Sequence, residues 1–291
     1  MKIKKIGFIG LGNMGHHMAL HIAKKGYEVF PYDININTLK NFKKDYLKKE
    51  NDLLSSLANI DCVILIVPSS KEVFNIVFKE LKLSSHLRKG TSIIDMSTSI
   101  PTETKKIANK LKKKGINFFD CPVAGGVKFA KTAQLALFAG GGKKDPNIIS
   151  LLQTMGNIIW CGKSGDGHAV KALSNFINAS ILNTYLEAII TGLKFGINKE
   201  NLLNAIDHAT TGKNHPYFKK IKDGILSKNY QSGFTLDLLS KDVMIAKHLI
   251  TRFSKGSLVS SNISNLLENS KKKLGNKADQ LKLFKLWTDK I

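Results

Sequence analysis

The sequence predicts an α/β fold class, in which a doubly wound parallel sheet is followed by an all-α domain. Between 5 and 161, short apolar runs alternate with helical patterns, as in a sheet whose strands are joined by helices. After Gly167 only helical patterns follow. The 291 residues are enough for about two domains. We place the sheet domain at 1–164 and the helical domain at 165–291.

The first strand leads into a glycine-rich turn. An apolar strand is predicted at 5–9, the turn at 10–15 has the spacing GxGxxG, and a helical pattern follows as far as Gly26. The next strand, 27–32, ends at an acidic residue. This order is typical of a dinucleotide-binding (Rossmann) unit, because glycines let the backbone approach a pyrophosphate and the acid can accept ribose hydroxyls. The predicted cofactor-binding residues here are Gly10, Leu11, Gly12, Asn13, Met14, Gly15 and Asp33.

The acid that follows the second strand favours NAD over NADP. The charge of Asp33 would repel a 2′-phosphate, and the adjacent Ile34 and Asn35 supply no arginine to hold one. NADP stays open as the alternative, because Lys40, Lys43 and Lys44 are near in sequence and could accommodate a phosphate.

Further strands and helices alternate along the first domain. Strands are predicted at 62–67, 91–95, 116–120, 135–139 and 158–161, with helices at 71–81, 101–114 and 146–155. Loops that follow parallel strands gather at one edge of the sheet, where the cofactor lies. Val67, Pro68 and Thr98 are therefore expected to line it. A second glycine turn, at Gly125 and Gly126, exposes backbone N–H groups that can hold a carboxylate.

One long helix, at about 167–195, is predicted to join the domains, with further helices at 199–209, 216–226, 240–252, 257–273 and 279–288. Lys171 and Asn175 are four residues apart and share one face of the long helix. Burial among apolar neighbours would lower the pKa of a lysine and suit it to general acid–base catalysis. The simpler alternative is a solvated lysine in a lysine-rich chain.

Composition limits the classes of partner and compartment. The net charge of +23 suggests a nucleic-acid partner. Proteins that read nucleic acid favour arginine, however, and only two of the 45 basic residues, Arg88 and Arg252, are arginines. We expect no nucleic-acid partner and leave a nucleic-acid binder as the third choice. Three cysteines without a CxxC predict neither disulfides nor a metal site. Glycines interrupt the first apolar stretch, which makes it a poor signal peptide, and no later apolar run is long enough to span a membrane. We therefore expect a cytoplasmic protein with no membrane partner.

Four landmarks in fixed order resemble the β-hydroxyacid dehydrogenase family across essentially the whole chain. They are the segments 7–15, 120–126 and 165–175, and the pair Lys241-Asp242. The resemblance implies a homodimer or homotetramer in which Lys171 is the catalytic lysine and Asn175 orients the substrate hydroxyl. It also implies a substrate carboxylate bound by backbone at Ala124, Gly125 and Gly126, cofactor contacts from Val67, Pro68, Thr98 and Lys241, and an aromatic near the nicotinamide and substrate at Phe234.

The chain departs from the family pattern beside the second glycine turn. Ala124 replaces the usual serine, and Phe129 and Ala133 replace usual glycines. The expected activity is NAD-dependent interconversion of a short β-hydroxy acid, of the 3-hydroxyisobutyrate type, with its semialdehyde. Two alternatives remain: a reductase of tartronate semialdehyde or another small acid aldehyde, and a non-catalytic NAD-binding module that docks a partner.

Overall fold

The computed structural model describes residues 3–46, 52–142, 144–209, 215–253 and 258–288. The chain divides into two compact units, Met1–Lys171 and Ala172–Ile291. The first contains the sheet and the second is helical, and each is described by itself below.

An eight-stranded sheet forms the first unit. Its strands are β1 Lys5–Ile9, β2 Glu28–Tyr32, β3 Cys62–Leu65, β4 Ser92–Asp95, β5 Asn117–Asp120, β6 Val123–Ala124, β7 Leu135–Gly140 and β8 Gly156–Gly162. The order is β2-β1-β3-β4-β5-β7-β6, with β8 paired to β7. β2, β1, β3, β4 and β5 are parallel to one another in that order, and β8 is parallel to β7. The predicted fold class is confirmed.

The sheet is mixed rather than wholly parallel. β7 runs antiparallel to β5, where Asp120 faces Gly140, and to β6, where Val123 faces Leu137. The Phe138 N–H donates to the Pro122 carbonyl at 3.0 Å, so β5 and β6 make one nearly continuous ladder with β7. The chain passes from β6 to β7 through a six-residue helix, Gly126–Lys131. A connection this short cannot make the crossover that a parallel pair of strands needs, so the two strands pair antiparallel. The sequence pattern predicts a glycine turn here and indicates neither the strand nor the helix.

Helices cover both faces of the sheet. They are α1 Gly15–Lys24, α2 Ile36–Tyr46, α3 Leu53–Ser56, α4 Ser70–Phe78, α5 Leu83–His86, α6 Pro101–Lys112, α7 Gly126–Lys131 and α8 Pro146–Gln153. Alternate residues of β3 belong to different cores: Ile64 packs in the cluster with Met18, whereas Val63 packs in the cluster with Val73 and Ile107. Two apolar cores, one on each face, are the expected product of a doubly wound chain.

The second unit is built from helices. α9 Asp166–Phe195 enters it from the first unit, and α10 Lys199–His208, α11 Pro216–Leu226, α12 Leu236–Phe253, α13 Leu258–Leu274 and α14 Leu283–Thr288 follow. Their core includes Leu182, Leu186, Phe218 and Leu239. α12 begins four residues before the predicted start at 240, after Thr235, which forms an isolated antiparallel bridge with Asp279. Over the described residues, no helix is both long enough and apolar enough to span a bilayer.

Candidate active site

The glycine turn after β1 combines tight packing with open space. The Gly10 N–H donates to the Tyr32 carbonyl at 2.9 Å, which ties the turn to β2. A Cβ added at Gly10 would lie 2.1 Å from the Ile66 carbonyl oxygen, and one added at Gly15 would lie 1.9 Å from the Gly10 oxygen. A Cβ at Gly12 would meet nothing within 4 Å. Gly10 and Gly15 are thus required by packing, whereas Gly12 faces open space.

That open space fits a pyrophosphate. It lies where α1 begins, and the side chain of the preceding residue, Met14, makes no hydrogen bond that caps the helix. The first N–H groups of such a helix attract phosphate oxygens. The Leu11 side chain is buried in the core, so Leu11 can offer a cofactor only its backbone. Gly12 and Asn13 are exposed at the turn.

The acid after β2 is held beside the turn. Asp33 accepts the Leu11 N–H at 2.7 Å through Oδ2 and the Asn35 N–H at 2.8 Å through Oδ1. The carboxylate is half-buried. Each carboxylate oxygen has more than one acceptor direction. Asp33 can therefore stay fixed to the backbone and still accept the two hydroxyls of a ribose.

The loops that follow β3 and β4 are braced against each other. The first contains Val67 and Pro68, and the second contains Thr98. The Val67 N–H donates to Ser97 Oγ at 2.9 Å, and the Ser97 N–H donates to Oδ1 of the buried Asp95 at 3.0 Å. Both loops leave their strands at the edge of the sheet where the glycine turn lies, as the parallel pairing requires.

The second glycine turn stands between β6 and α7. Ala124 ends β6 opposite Ala136 of β7. Gly125 and Gly126 are exposed, with φ of 124° and 69°, and Gly126 is the first residue of α7. The exposed backbone of this pair can accommodate a carboxylate.

A buried polar cluster fixes the start of α9. Asp120 is fully buried and accepts the Gly165 N–H at 2.8 Å and the His168 N–H at 3.1 Å. Burial raises the pKa of the Asp120 carboxyl, and the charge of His168 opposes that rise. His168 is also fully buried. Its Nε2 lies 3.0 Å from the Ser97 carbonyl, to which it donates, and its Nδ1 lies 2.8 Å from the Thr104 hydroxyl.

This cluster positions the candidate catalytic lysine, because Lys171 follows His168 within one turn of the helix. The Lys171 side chain is half-buried. His168 itself is a structural residue that connects α9 to the loop after β4 and to α6.

In the second unit, Asn175 is oriented by a buried acid. Asn175 is 7% exposed, and its Nδ2 donates to Oδ2 of Asp242 at 2.5 Å. Asp242 is 2% exposed, and its Oδ1 has no hydrogen-bond donor within the described residues, although Lys241 Nζ lies 3.6 Å away. The family resemblance predicted a role for Lys241 and none for Asp242. The signal was present in the landmark Lys241-Asp242, but the burial that makes the acid important was not visible there.

The other predicted residues of the second unit are Lys241, on α12, and Phe234, just before that helix. Lys241 is adjacent to Asp242, with 28% of its side chain exposed. Phe234 is half-buried against the helical core, and its carbonyl accepts the Gln280 N–H at 3.0 Å. That these residues meet the loops of the sheet unit stays a prediction.

Metal and thiol chemistry have no visible centre in the described ranges. No group of three or more His, Cys, Asp or Glu side chains there is placed to hold a metal ion. Cys62, Cys121 and Cys161 are free thiols. Burial raises the pKa of Cys62 and Cys121, which leaves both thiols protonated at neutral pH.

Comparison with known proteins agrees with this geometry. The family described as the NAD binding domain of 6-phosphogluconate dehydrogenase matches residues 5–162. The family described as the NAD-binding domain of NADP-dependent 3-hydroxyisobutyrate dehydrogenase matches 165–287. The mitochondrial 3-hydroxyisobutyrate dehydrogenase of Rattus norvegicus is 31% identical over 84% of this chain and 76% of its own length.

Two further relatives extend the comparison. The 2-(hydroxymethyl)glutarate dehydrogenase of Eubacterium barkeri is 31% identical over 83% of this chain and 81% of its own. The structure of Mycobacterium tuberculosis 3-hydroxyisobutyrate dehydrogenase with L-serine shares the fold, with a TM-score of 0.87 over 98% of this chain and 99% of that one, at 23% identity. The chain therefore belongs to the 3-hydroxyisobutyrate dehydrogenase-like family of NAD(P)-dependent dehydrogenases, which act on CH–OH donors.

Proposed function

We propose that this protein is an NAD-dependent dehydrogenase that interconverts a short β-hydroxy acid, of the 3-hydroxyisobutyrate type, with its semialdehyde. The observation that carries the proposal is the pair Lys171 and Asn175, one turn apart on α9. The Lys171 end is anchored by the buried Asp120, and Asn175 is held by the buried Asp242. A lysine on an anchored helix start and an amide held by a buried acid suit proton transfer at an oxygen that the amide positions.

Each group has a role in the proposed reaction. NAD, when bound, supplies the nicotinamide that accepts a hydride from the carbinol carbon. Lys171, as the neutral amine, takes the hydroxyl proton, and Asn175 hydrogen-bonds the same oxygen. Gly125 and Gly126 hold the carboxylate through their backbone. In the reverse direction the Lys171 ammonium returns its proton to the aldehyde oxygen.

The choice of NAD rests on Asp33. Its carboxylate is held at the edge of the glycine turn by two backbone N–H groups and would face a 2′-phosphate with like charge. The cofactor loops with Val67, Pro68 and Thr98, and Lys241 and Phe234 from the helical unit, complete the proposed site.

The setting of the enzyme is also part of the proposal. We infer a division into a cofactor domain at 1–164 and a helical domain at 165–291 that carries the self-association, as a homodimer or homotetramer. We also infer a cytoplasmic location, because the free thiols of the protein suit a reducing compartment.

The test is a steady-state screen of the purified protein with NAD and with NADP against hydroxy acids of three to five carbons. Both directions are measured, with tartronate semialdehyde among the aldehydes. We expect NADH formation from a 3-hydroxy acid and a kcat/KM at least about tenfold higher with NAD than with NADP, the effect of roughly one repelled charge pair. Turnover of aldehydes alone would instead assign a reductase. Tight NAD binding without turnover of any acid or aldehyde would overturn the proposal in favour of a docking module.

A further inference from the structure

An aromatic ring lies against the glycine pair that is proposed to hold the substrate carboxylate. A Cβ built on Gly125 would be 2.8 Å from Phe129 Cβ and 3.1 Å from Phe129 Cγ. Side chains on a helix lean toward its amino terminus, and Phe129 is on the first turn of α7, so its ring lies back over Gly125.

The backbone that carries the ring is fixed, and the residue is partly exposed. The Phe129 carbonyl accepts the Gln134 N–H at 2.9 Å, which fixes the backbone where α7 ends. The residue is 42% exposed, the most exposed phenylalanine side chain of the sheet unit among those described. A single exposed apolar residue is ordinary on a protein surface. An exposed apolar side chain that covers a proposed substrate-binding turn makes the surface around that turn apolar.

The residue before the glycine pair has the same character. Ala124 is half-buried at the end of β6 and presents a methyl group, with no hydroxyl to donate to or accept from a ligand. Ala124 and Phe129 therefore border the glycine pair with apolar surface. In a 2-substituted 3-hydroxy acid the carbon that carries the substituent is bonded directly to the carboxylate carbon. A group that lines the carboxylate site is within reach of that substituent.

We propose that Phe129, together with Ala124, determines substrate specificity by selecting an apolar substituent on the carbon next to the carboxylate. This inference rests on the proposed function. A polar or charged substituent gives up its hydrogen bonds to water against this wall and receives none in return, whereas a methyl group loses nothing. The substrate class is thus 2-alkyl-3-hydroxypropanoates, and the wall rejects the 2-amino and 2-hydroxy analogues.

The experiment uses three nearly isosteric substrates, which carry a methyl, an ammonium or a hydroxyl group at the same carbon: 3-hydroxyisobutyrate, serine and glycerate. We expect the wild-type kcat/KM for the methyl compound to exceed the other two by about a hundredfold, as expected when polar groups enter a site without partners. In F129Q and A124S this ratio falls by about tenfold or more, because each variant supplies a hydrogen-bonding group. F129L keeps the apolar wall and is expected to keep the ratio.

Controls separate the possible failures. K128Q changes an exposed residue on the same helix and is expected to leave the ratio unchanged. Melting temperatures establish that each variant is folded, and A124S gives a reading even if F129Q does not fold. Turnover with an unchanged ratio in F129Q and A124S, or a wild type that prefers serine or glycerate, overturns this inference and leaves the proposed function standing. Absence of turnover with any hydroxy acid overturns the proposed function itself.

Discussion

Two glycines of the same turn are expected to respond in opposite ways to an added methyl group. In G15A the new Cβ would lie 1.9 Å from the Gly10 carbonyl oxygen, an overlap that only a backbone shift can relieve. In G12A the new Cβ meets nothing within 4 Å, and Gly12 has no φ in the left-handed range. The first variant therefore tests packing, and the second tests whether the open space belongs to a ligand.

The expected magnitudes differ accordingly. Overpacking of this kind costs about 1–3 kcal/mol, and each kcal/mol lowers the melting temperature of a protein of this size by roughly 2–4 °C. G15A should therefore melt several degrees below wild type. G12A should melt within about 2 °C of wild type, since substitutions without steric conflict change stability by roughly 0.5 kcal/mol. A methyl group where the pyrophosphate approaches removes one or two hydrogen bonds to a charged group, worth about 1.5–3 kcal/mol each, and raises the NAD Kd by at least about tenfold.

Calorimetry gives the melting temperature of each free protein, and titration with NAD gives its Kd. Wild-type NAD affinity in G12A would refute the assignment of the open space to the pyrophosphate. A melting temperature in G12A as low as that of G15A would refute the packing argument.

Two further predictions concern other positions. Ala133 has a φ of 54°, a left-handed conformation that costs an alanine roughly 1 kcal/mol more than a glycine. A133G should therefore raise the melting temperature by about 2–4 °C in calorimetry, and a lower value than that of wild type would contradict the assigned strain. D242N removes the buried charge that accepts a hydrogen bond from the Asn175 amide and lies near Lys241. We expect kcat to fall by about tenfold or more while the KM for NAD changes by less than about twofold. An unchanged kcat would show that Asp242 does not position Asn175.

The fold was predictable because its signals are local. The apolar run of β1, the GxGxxG turn and the acid after β2 follow one another within 33 residues of sequence, and each local pattern has one dominant structural meaning. β6 and α7 were not predictable in this way. β6 has two residues and α7 has six, so both depend on pairing and packing with β7 and have no periodic pattern of their own.

The candidate site was predictable only in part, for a similar reason. Lys171 and Asn175 share one helix face by spacing alone, and Gly12 was identified from its motif. The groups that fix them act over long sequence separations: Asp120 is 45 residues from Gly165, and Asp242 is 67 residues from Asn175. Burial turns these acids from ordinary surface residues into anchors, and burial is a property of the folded chain.

The Lys171 amine is proposed to transfer the proton in a dehydrogenase that binds its cofactor through other residues. Stopped-flow measurement of NADH formation in K171A, beside K194A as a control at an exposed lysine of the same helix, tests it most directly. For K171A we expect the NAD Kd to stay within about twofold of wild type. The rate of NADH formation should fall by about 10²–10⁴, the usual contribution of general acid–base catalysis. K194A should match wild type in both quantities. A wild-type rate of NADH formation in K171A would contradict the account.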